Sequence, residues 1–454
     1  VDERMCEQNI EVRDKVEVRL EDILQDPPII RSARVSTGRD TKAVTEKATA
    51  MIASLYGGRH DTPFEGGVMF RLKVTVPICY AKPFFQLPGS HNEFSGRYSE
   101  IPDDFFTPFY VKNIETDEVR GVFEGSAKDC YAVYKRLLDM QVAKEQARMA
   151  LPLRFFTKFY WTITLRHLLE ALALEENAFS PPEFWKIIRE LIPQILKDWT
   201  PWTFEKTGEK KRVIATRWAE NTDADRQGSD RRIVLQLPGS IKFERAANVG
   251  HIWLLSHNAE NEKLLDLFMR TGPDPRKAFR HLFMTFAMRY PIFVHRQWVR
   301  HRDGGWSELP PDFDGIVGAR DFYIPETFRK QIGKSMSYVY EDMSAEKNAL
   351  VQSELRVLIE KCCMRYSRLR GLLAGFSPEE ASLVLPYTYR APVMWTPNIM
   401  SLMNFLSLRC DKHAQWEIRV FADIIYGWFK ELFPKSHEIF IEHLNFGKSE
   451  IFQK

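Results

Sequence analysis

Three landmarks recur along this chain in the same order, so it must adopt a fold that can be built twice. VTVPICYAKPFF (74–85) parallels AMRYPIFVHRQWV (287–299), each centred on a Pro-Ile after an alternating, strand-like run. DDFFTP (103–108) is answered by RDFYIP (320–325). ALPLRFFTKFYWT (150–162) is answered by VLPYTYRAPVMWT (384–396), with Leu-Pro and Trp-Thr at one separation in both. Self-similarity at long, fixed order marks a duplicated unit. The boundaries read as a first copy over 10–205, a charged linker over 206–230 and a second copy over 231–454.

Each copy mixes strands and helices. Residues 69–81 and 283–294 alternate Val, Phe and Ile in the manner of strands. The second copy carries roughly twenty extra residues between its FYIP and its Leu-Pro, and a long helix over 341–375 with a Gly stop is expected to fill them. The stretch from Ser401 to Phe433 has apolar residues at three- and four-residue steps and reads as helix throughout. The class expected is α+β, a mixed sheet packed with long helices in two tandem copies, rather than regular βαβ winding.

With 44% hydrophobic and 13% aromatic residues the chain can bury a sizeable core. Its 64 basic and 61 acidic residues leave +3, which argues against a general grip on nucleic acid. No apolar run of about 18 residues occurs, so no membrane span is expected, and the first residues, VDERMCEQNIEVRDKVEVRLED, hold no apolar signal core. The six cysteines are scattered without a C-x-x-C, which fits neither a zinc site nor a disulfide framework and suits a reducing cytoplasm.

Three polar clusters stand out. The segment Arg296-Gln297-Trp298-Val299-Arg300-His301-Arg302 places adjacent cations after an apolar strand; it is a solvated basic turn or a site for an anion. His91-Asn92-Glu93-Phe94-Ser95-Gly96-Arg97-Tyr98-Ser99-Glu100 offers a hydroxyl, an unhindered backbone N–H and a guanidinium, which make either an anion grip or a polar loop held by Arg–Glu pairs. Asn398, Asn404, Arg409, His413, Gln415 and Glu417 fall near one face of the expected last helix, as a hydrated face or a binding one.

Taken together, the clusters resemble the flavin-dependent thymidylate synthases. The motifs that carry the resemblance are His60-Asp61-Thr62-Pro63-Phe64-Glu65, Asn92-Glu93-Phe94-Ser95-Gly96-Arg97-Tyr98-Ser99, Arg300-His301-Arg302, and the run from Leu408 to Ile418, LRCDKHAQWEI. The departures are sorted by copy. In the first, the R-H-R position reads Gln86-Leu87-Pro88 and the C-terminal Arg is Glu175. In the second, Ser-Gly-Arg has become Pro310-Pro311-Asp312, and the Arg of Glu-x-Ala-Arg, kept as Arg148 in the first copy, is Ser382. Each half lacks what the other retains, whereas random decay would scatter losses through both sets.

The resemblance implies a homotetrameric family with sites between subunits, and here a homodimer of fused chains forming a pseudo-tetramer, with one composite site per chain. It assigns Glu93, Ser95, Gly96, Arg97, Arg148, Gln297 and Arg409 to deoxyuridylate (dUMP). It assigns Ser36, His60, Thr62, Tyr98, Arg166, Arg300, His301, Arg302, Asn398, Asn404 and His413 to flavin (FAD) and folate. Arg148, Arg97, Ser95 and His301 are the residues expected nearest the chemistry, with Ser95 as a hydrogen-bonding group, since no base stands at a suggestive spacing. The implied activity is reductive C5 methylation of dUMP to dTMP with methylenetetrahydrofolate and NADPH, without metal. The alternatives are a related C5 modification of another pyrimidine nucleotide, or a non-catalytic flavin- or nucleotide-binding descendant.

Overall fold

The computed structural model describes residues 10–11, 17–23, 29, 49–57, 63–64, 68–97, 99–106, 117–174, 182–208, 242–271, 275–301, 303–309, 317–332, 339–371, 376 and 378–443. Ser36, His60, Thr62, Tyr98 and Arg302 lie outside them, as does most of the expected linker. The chain divides into two compact units. Unit 1 comprises Val1–Ser95, Asp103–Tyr110 and Arg154–Ile233; unit 2 comprises Gly96–Pro102, Val111–Leu153 and Val234–Lys454. The units therefore differ from the sequence copies: two segments of the first copy pack with the second.

Unit 1 is built on a five-stranded antiparallel sheet of β1 (Ile10–Glu11), β2 (Glu17–Ile23), β3 (Met69–Pro77), β4 (Ser90–Glu93) and β5 (Phe156–Thr164), in the order β1-β2-β3-β5-β4. The alternation in β3 sends Phe70, Leu72, Val74 and Val76 into the core and leaves Met69 and Arg71 outside, as a half-buried strand requires. Phe84 fills that core between Phe159, Trp161 and Phe184, with ring centroids 5.1–5.8 Å apart.

Unit 2 repeats the design. Strands β6 (Lys242–Ala246), β7 (Gly250–His257), β8 (Met284–Pro291), β9 (Gly305–Glu308) and β12 (Arg390–Thr396) run in the order β6-β7-β8-β12-β9. The register also repeats: Pro77 faces Phe156 in one sheet and Pro291 faces Arg390 in the other. Each second strand carries a bulge at the matching place, Leu20/Asp22 and Leu254/Ser256. The expected α+β duplication is thus present down to its irregularities.

Two sequence expectations need correction. The runs 69–81 and 283–294 are strands only as far as their prolines. Proline has no N–H to continue a ladder and is preset for entry into a helix, so Pro77 leads to a 3-10 turn and the helix Ala81–Gln86, and Pro291 leads directly to a helix, Ile292–Trp298. The R-Q-W residues therefore sit on a helix, not after a strand. The second correction concerns the extra length of the second copy. A long helix is present in both copies, Asp117–Asp139 (α1) and Ala345–Gly371; with Ile292–Trp298 as α2, the latter is α3. The added residues instead form a hairpin, β10 (Arg329–Ile332) with β11 (Val339–Asp342).

Helices α1 and α3 lie side by side and antiparallel in unit 2. Arg368 pairs with Glu118 at one end, Arg136 with Glu354 at the other, and Cys130 meets Cys362 in the middle at 3.8 Å between sulfurs. The two cysteines are buried, unbonded thiols, each nine residues before the C-terminal end of its helix, so the contact marks a local two-fold relation between the copies. Under the sheet of unit 2, Trp298 stacks on Tyr290 (5.1 Å) and Phe405 (4.7 Å), and Trp395 stacks on Trp306 (5.2 Å).

Candidate functional site

Strand β4 ends at Glu93, and the turn that follows delivers Gly96 and Arg97 into unit 2. The turn is close-packed at Gly96, where a Cβ would come within 2.9 Å of Ile101 Cδ1 and 3.5 Å of Arg148 Cδ. Arg97 donates through Nε to Glu145 Oε2 at 2.9 Å, and the other carboxylate oxygen, Oε1, accepts from Arg329 Nη2 at 2.8 Å. Glu145 is 1% exposed, and a guanidinium group flanks each of its two carboxylate oxygens. Arg148 follows in a 3-10 turn, Arg148–Ala150; its Nε donates to the Glu145 carbonyl and its guanidinium lies 5.8 Å from the centre of the Tyr387 ring. First-copy Arg97 and Arg148 thus share unit 2 with second-copy Arg329 and Tyr387.

On the second-copy side, α2 presents Gln297, and Arg300 and His301 follow its end. Arg409 closes the helix α4 (Ile399–Arg409). Arg409 donates through Nε to His301 Nε2 at 3.1 Å and through Nη2 to the Gln297 carbonyl at 3.1 Å. A ring nitrogen that accepts from a guanidinium is unprotonated, and burial together with the Arg409 charge holds the His301 imidazole down to about 3. Burial is also the largest cause that brings Arg409 down to about 10, followed by the charges of Arg97 and Arg300. Cations of both copies therefore act on one another, and repulsion of this kind is relieved by a bound anion. A phosphate-bearing ligand suits this donor set.

Gln297 Nε2 donates to Gln415 Oε1 at 2.6 Å, while its own Oε1 is buried without a hydrogen-bond partner among the described residues. That oxygen is a ready acceptor for a ligand N–H.

The C-terminal motif is not one continuous helix. Asn398 caps α4, its Oδ1 accepting from Ser401 N at 2.9 Å. After Arg409 the chain turns, with Asp411 Oδ1 accepting from His413 N at 2.7 Å, and restarts as α5 (Trp416–Leu432) behind Gln415. A short-range carboxylate bond of this type competes with helix. Arg409 and Gln415 accordingly face the cluster, whereas Asn404 and His413 are exposed and make no contact with it in this structure. Glu417 is buried, takes a hydrogen bond from Tyr323 at 3.3 Å and has its carboxyl pushed upward, chiefly by burial.

In unit 1, Glu93 Oε1 accepts from Thr157 Oγ1 at 2.7 Å, and Ser95 lies half-buried just beyond it. Arg166 pairs with Glu170 one helical turn on, at 3.2 Å, with both side chains about a third exposed. His91 is half-buried, stacked on Trp161 at 5.8 Å. Three contributors escaped the sequence reading as site residues, Arg329, Tyr340 and Tyr387, whereas Gln415 belongs to the third polar cluster of the sequence. Glu145 had a signal, an acid one helical turn before Arg148; Arg329, 184 residues away from it, had none.

The family model described as thymidylate synthase complementing protein matches residues 20–202 and again 228–435. The chain belongs to that family. It contains the thymidylate synthase complementing unit twice, and each relative matches about one copy. The flavin-dependent thymidylate synthase of Thermosipho melanesiensis is 37% identical over 213 residues, 43% of this chain and 91% of that protein. The enzyme of the same name from Thermus thermophilus is 36% identical over 208 residues, 42% of this chain and 75% of that protein. Among solved structures, the UMP/dUMP methylase PolB from Streptomyces cacaoi, bound with 5-Br dUMP, is 27% identical with a TM-score of 0.39, over 45% of this chain and 99% of that one.

Proposed function

We propose that this chain is a flavin-dependent thymidylate synthase: it methylates dUMP at C5 reductively, with methylenetetrahydrofolate as carbon donor and NADPH as reductant through FAD. The site is composite, made once per chain from the residues that each copy has kept. The observation that carries this reading is that first-copy Arg97 and Arg148 share one compact unit with second-copy Arg409, whose guanidinium bonds His301 Nε2 and the Gln297 carbonyl. The relatives' names and the family match support the same activity.

In this reading Arg97 and Arg148 hold the nucleotide phosphate and polarise a uracil carbonyl, stabilising oxyanion charge as C5 becomes nucleophilic. Gln297 Oε1 accepts the ring N–H, while Gln415 fixes the amide by occupying Nε2. Glu93 and Ser95, just before Gly96 in the chain, take the ribose and the nucleotide edge on the strength of the family resemblance. Arg300, Arg302 and His301 hold flavin and folate anions, with Asn398, Asn404, His413, Ser36, His60, Thr62, Tyr98 and Arg166 as further candidates. Bound flavin would supply the hydride that converts the one-carbon bridge to methyl. The assembly proposed is a homodimer, and the compartment the cytoplasm; among the described residues no helix is long and apolar enough to cross a membrane.

The test is oxidation of the protein's reduced flavin, followed by absorbance with dUMP alone, with methylenetetrahydrofolate alone and with both. Rapid oxidation with dTMP formation only when both are present is expected. Oxidation that ignores dUMP, or that responds to another pyrimidine nucleotide instead, rejects the reading.

A further inference from the structure

The β10–β11 hairpin has a place in the site that its sequence does not suggest. It is stitched to the segment leading into Arg148 by a close set of bonds. Ala143 N donates to the Arg329 carbonyl (2.7 Å), Arg329 N to Gln146 Oε1 (2.7 Å), Gln146 Nε2 to the Thr327 carbonyl (3.1 Å) and Lys144 N to Gln331 Oε1 (3.3 Å). From this base Arg329 takes Glu145 Oε1 and lies 4.9 Å from the centre of the Tyr340 ring, and the Arg97 guanidinium acts on the Tyr340 hydroxyl. Arg97 thus pairs with Glu145 and acts on Tyr340, and Arg329 touches both of these residues.

The charge arithmetic explains why a second arginine is required. Glu145 gives one oxygen to each guanidinium. With Arg329 gone, both oxygens would turn to Arg97, whose fork matches a carboxylate in two-pronged fashion. A closed, neutral pair of that kind leaves little charge for a phosphate. Arg329 keeps the pair open and restores a net positive charge beside the nucleotide.

The history of the two copies points the same way. Only eight residues separate Pro108 from α1 in the first copy, against nineteen between Pro325 and α3 in the second, and the hairpin spans fourteen of those, 329–342. The first copy therefore lacks the length for such a hairpin. The arginine that a first-copy hairpin would have steadied is the one replaced by Asp312 in the second copy. The support is present for the arginine that is kept, Arg97, and absent where the counterpart is Asp312.

We infer that Arg329 and Tyr340 are positioning residues, supplied by the second copy's hairpin to hold Arg97 open for an anionic nucleotide. This rests on the reading of Arg97 as a nucleotide ligand, and the experiment separates the two. The full chain, loaded with flavin, is titrated with dUMP as wild type and as Arg329→Ala, Arg329→Lys, Tyr340→Phe and Arg97→Ala. For Arg329→Ala we expect dUMP Kd and KM to rise tenfold or more, with flavin content unchanged and kcat at saturation within threefold; Arg329→Lys should recover most of the loss. In an Arg97→Lys background the Arg329→Ala effect should shrink below threefold, because its client is already altered. A Kd within twofold of wild type for Arg329→Ala, or a full tenfold effect in the Arg97→Lys background, overturns the inference while leaving the nucleotide reading intact. Unchanged dUMP binding in Arg97→Ala overturns that reading itself, and this inference with it. Should Arg329→Ala be insoluble, Tyr340→Phe decides: a threefold or larger rise in Kd at unchanged melting temperature supports the role, and a rise below 1.5-fold ends it.

Discussion

A guanidinium brought down to about 10 by burial and by the charges of Arg97 and Arg300, as Arg409 is, stores repulsion that an anion would release. The flavin-free protein should therefore be stabilised by inorganic pyrophosphate more than by sodium chloride of equal ionic strength. At 100 times its Kd the gain is about 2.7 kcal/mol. Arg409→Met should remove most of the difference, read by differential scanning fluorimetry; a variant that kept the full pyrophosphate shift would place the anion elsewhere. His301 gives a pH prediction of definite sign. Its folded-state value, about 3, lies below the ordinary 6.5 of an exposed imidazole. The unfolded chain thus takes up the proton first, and stability falls as pH drops from about 6.5 toward 3. Replacing it in His301→Gln should flatten that part of the melting-temperature profile of the ligand-free protein relative to wild type; parallel profiles would refute the assignment.

Among the elements, backbone approach and helix packing decide most. A Cβ at Gly250, where β7 begins, would stand 1.9 Å from the Arg289 carbonyl oxygen on β8, a backbone atom that cannot rotate away. Gly250→Ala should cost soluble yield and lower the melting temperature sharply, by more than an exposed helix substitution does. The α1–α3 pair supplies the contrast. Leu355, 1% exposed, should cost about 2–5 kcal/mol as Leu355→Ala, whereas Arg368→Ala, which removes a half-exposed ion pair with Glu118, should cost about 1 kcal/mol or less. Chemical denaturation of both variants checks the ordering. Elements were readable from sequence where one local signal governed them, as in the alternation of β3 or the length of α3. They were misread where a single residue redirects the chain: Pro291 turns strand into helix, and Asp411 interrupts what periodicity alone makes continuous. The candidate site divides in the same way. Arg97, Arg148, Arg300, His301 and Arg409 are legible because each lies in a compact motif. Arg329 and Tyr340 are not, because their meaning comes from Glu145, far away along the chain, and no spacing rule links them.

For the molecule as a whole, the sorting of losses between copies predicts a stoichiometry. The counterpart of Glu93 at the end of β9 is Glu308, whose Oε1 lies 2.7 Å from His295 Nε2, at a position where the first copy has Ala81; the Tyr290 hydroxyl holds the other imidazole nitrogen at 2.9 Å. Glu93 has Thr157 at the same distance, so what sets Glu308 apart is an imidazole in place of a hydroxyl. Titration calorimetry should accordingly count one dUMP per chain rather than two, and Asp312→Ala, in the retired set, should leave kcat/KM within threefold; two equivalents, or a hundredfold loss, would contradict the single composite site. The meeting of Cys130 and Cys362 has a last consequence. A helix pair assembled from separate polypeptides must be found by collision and comes apart on dilution, whereas both of these helices belong to one polypeptide. Their encounter has a fixed local concentration, so this pairing should persist at nanomolar protein, however scarce the chain becomes.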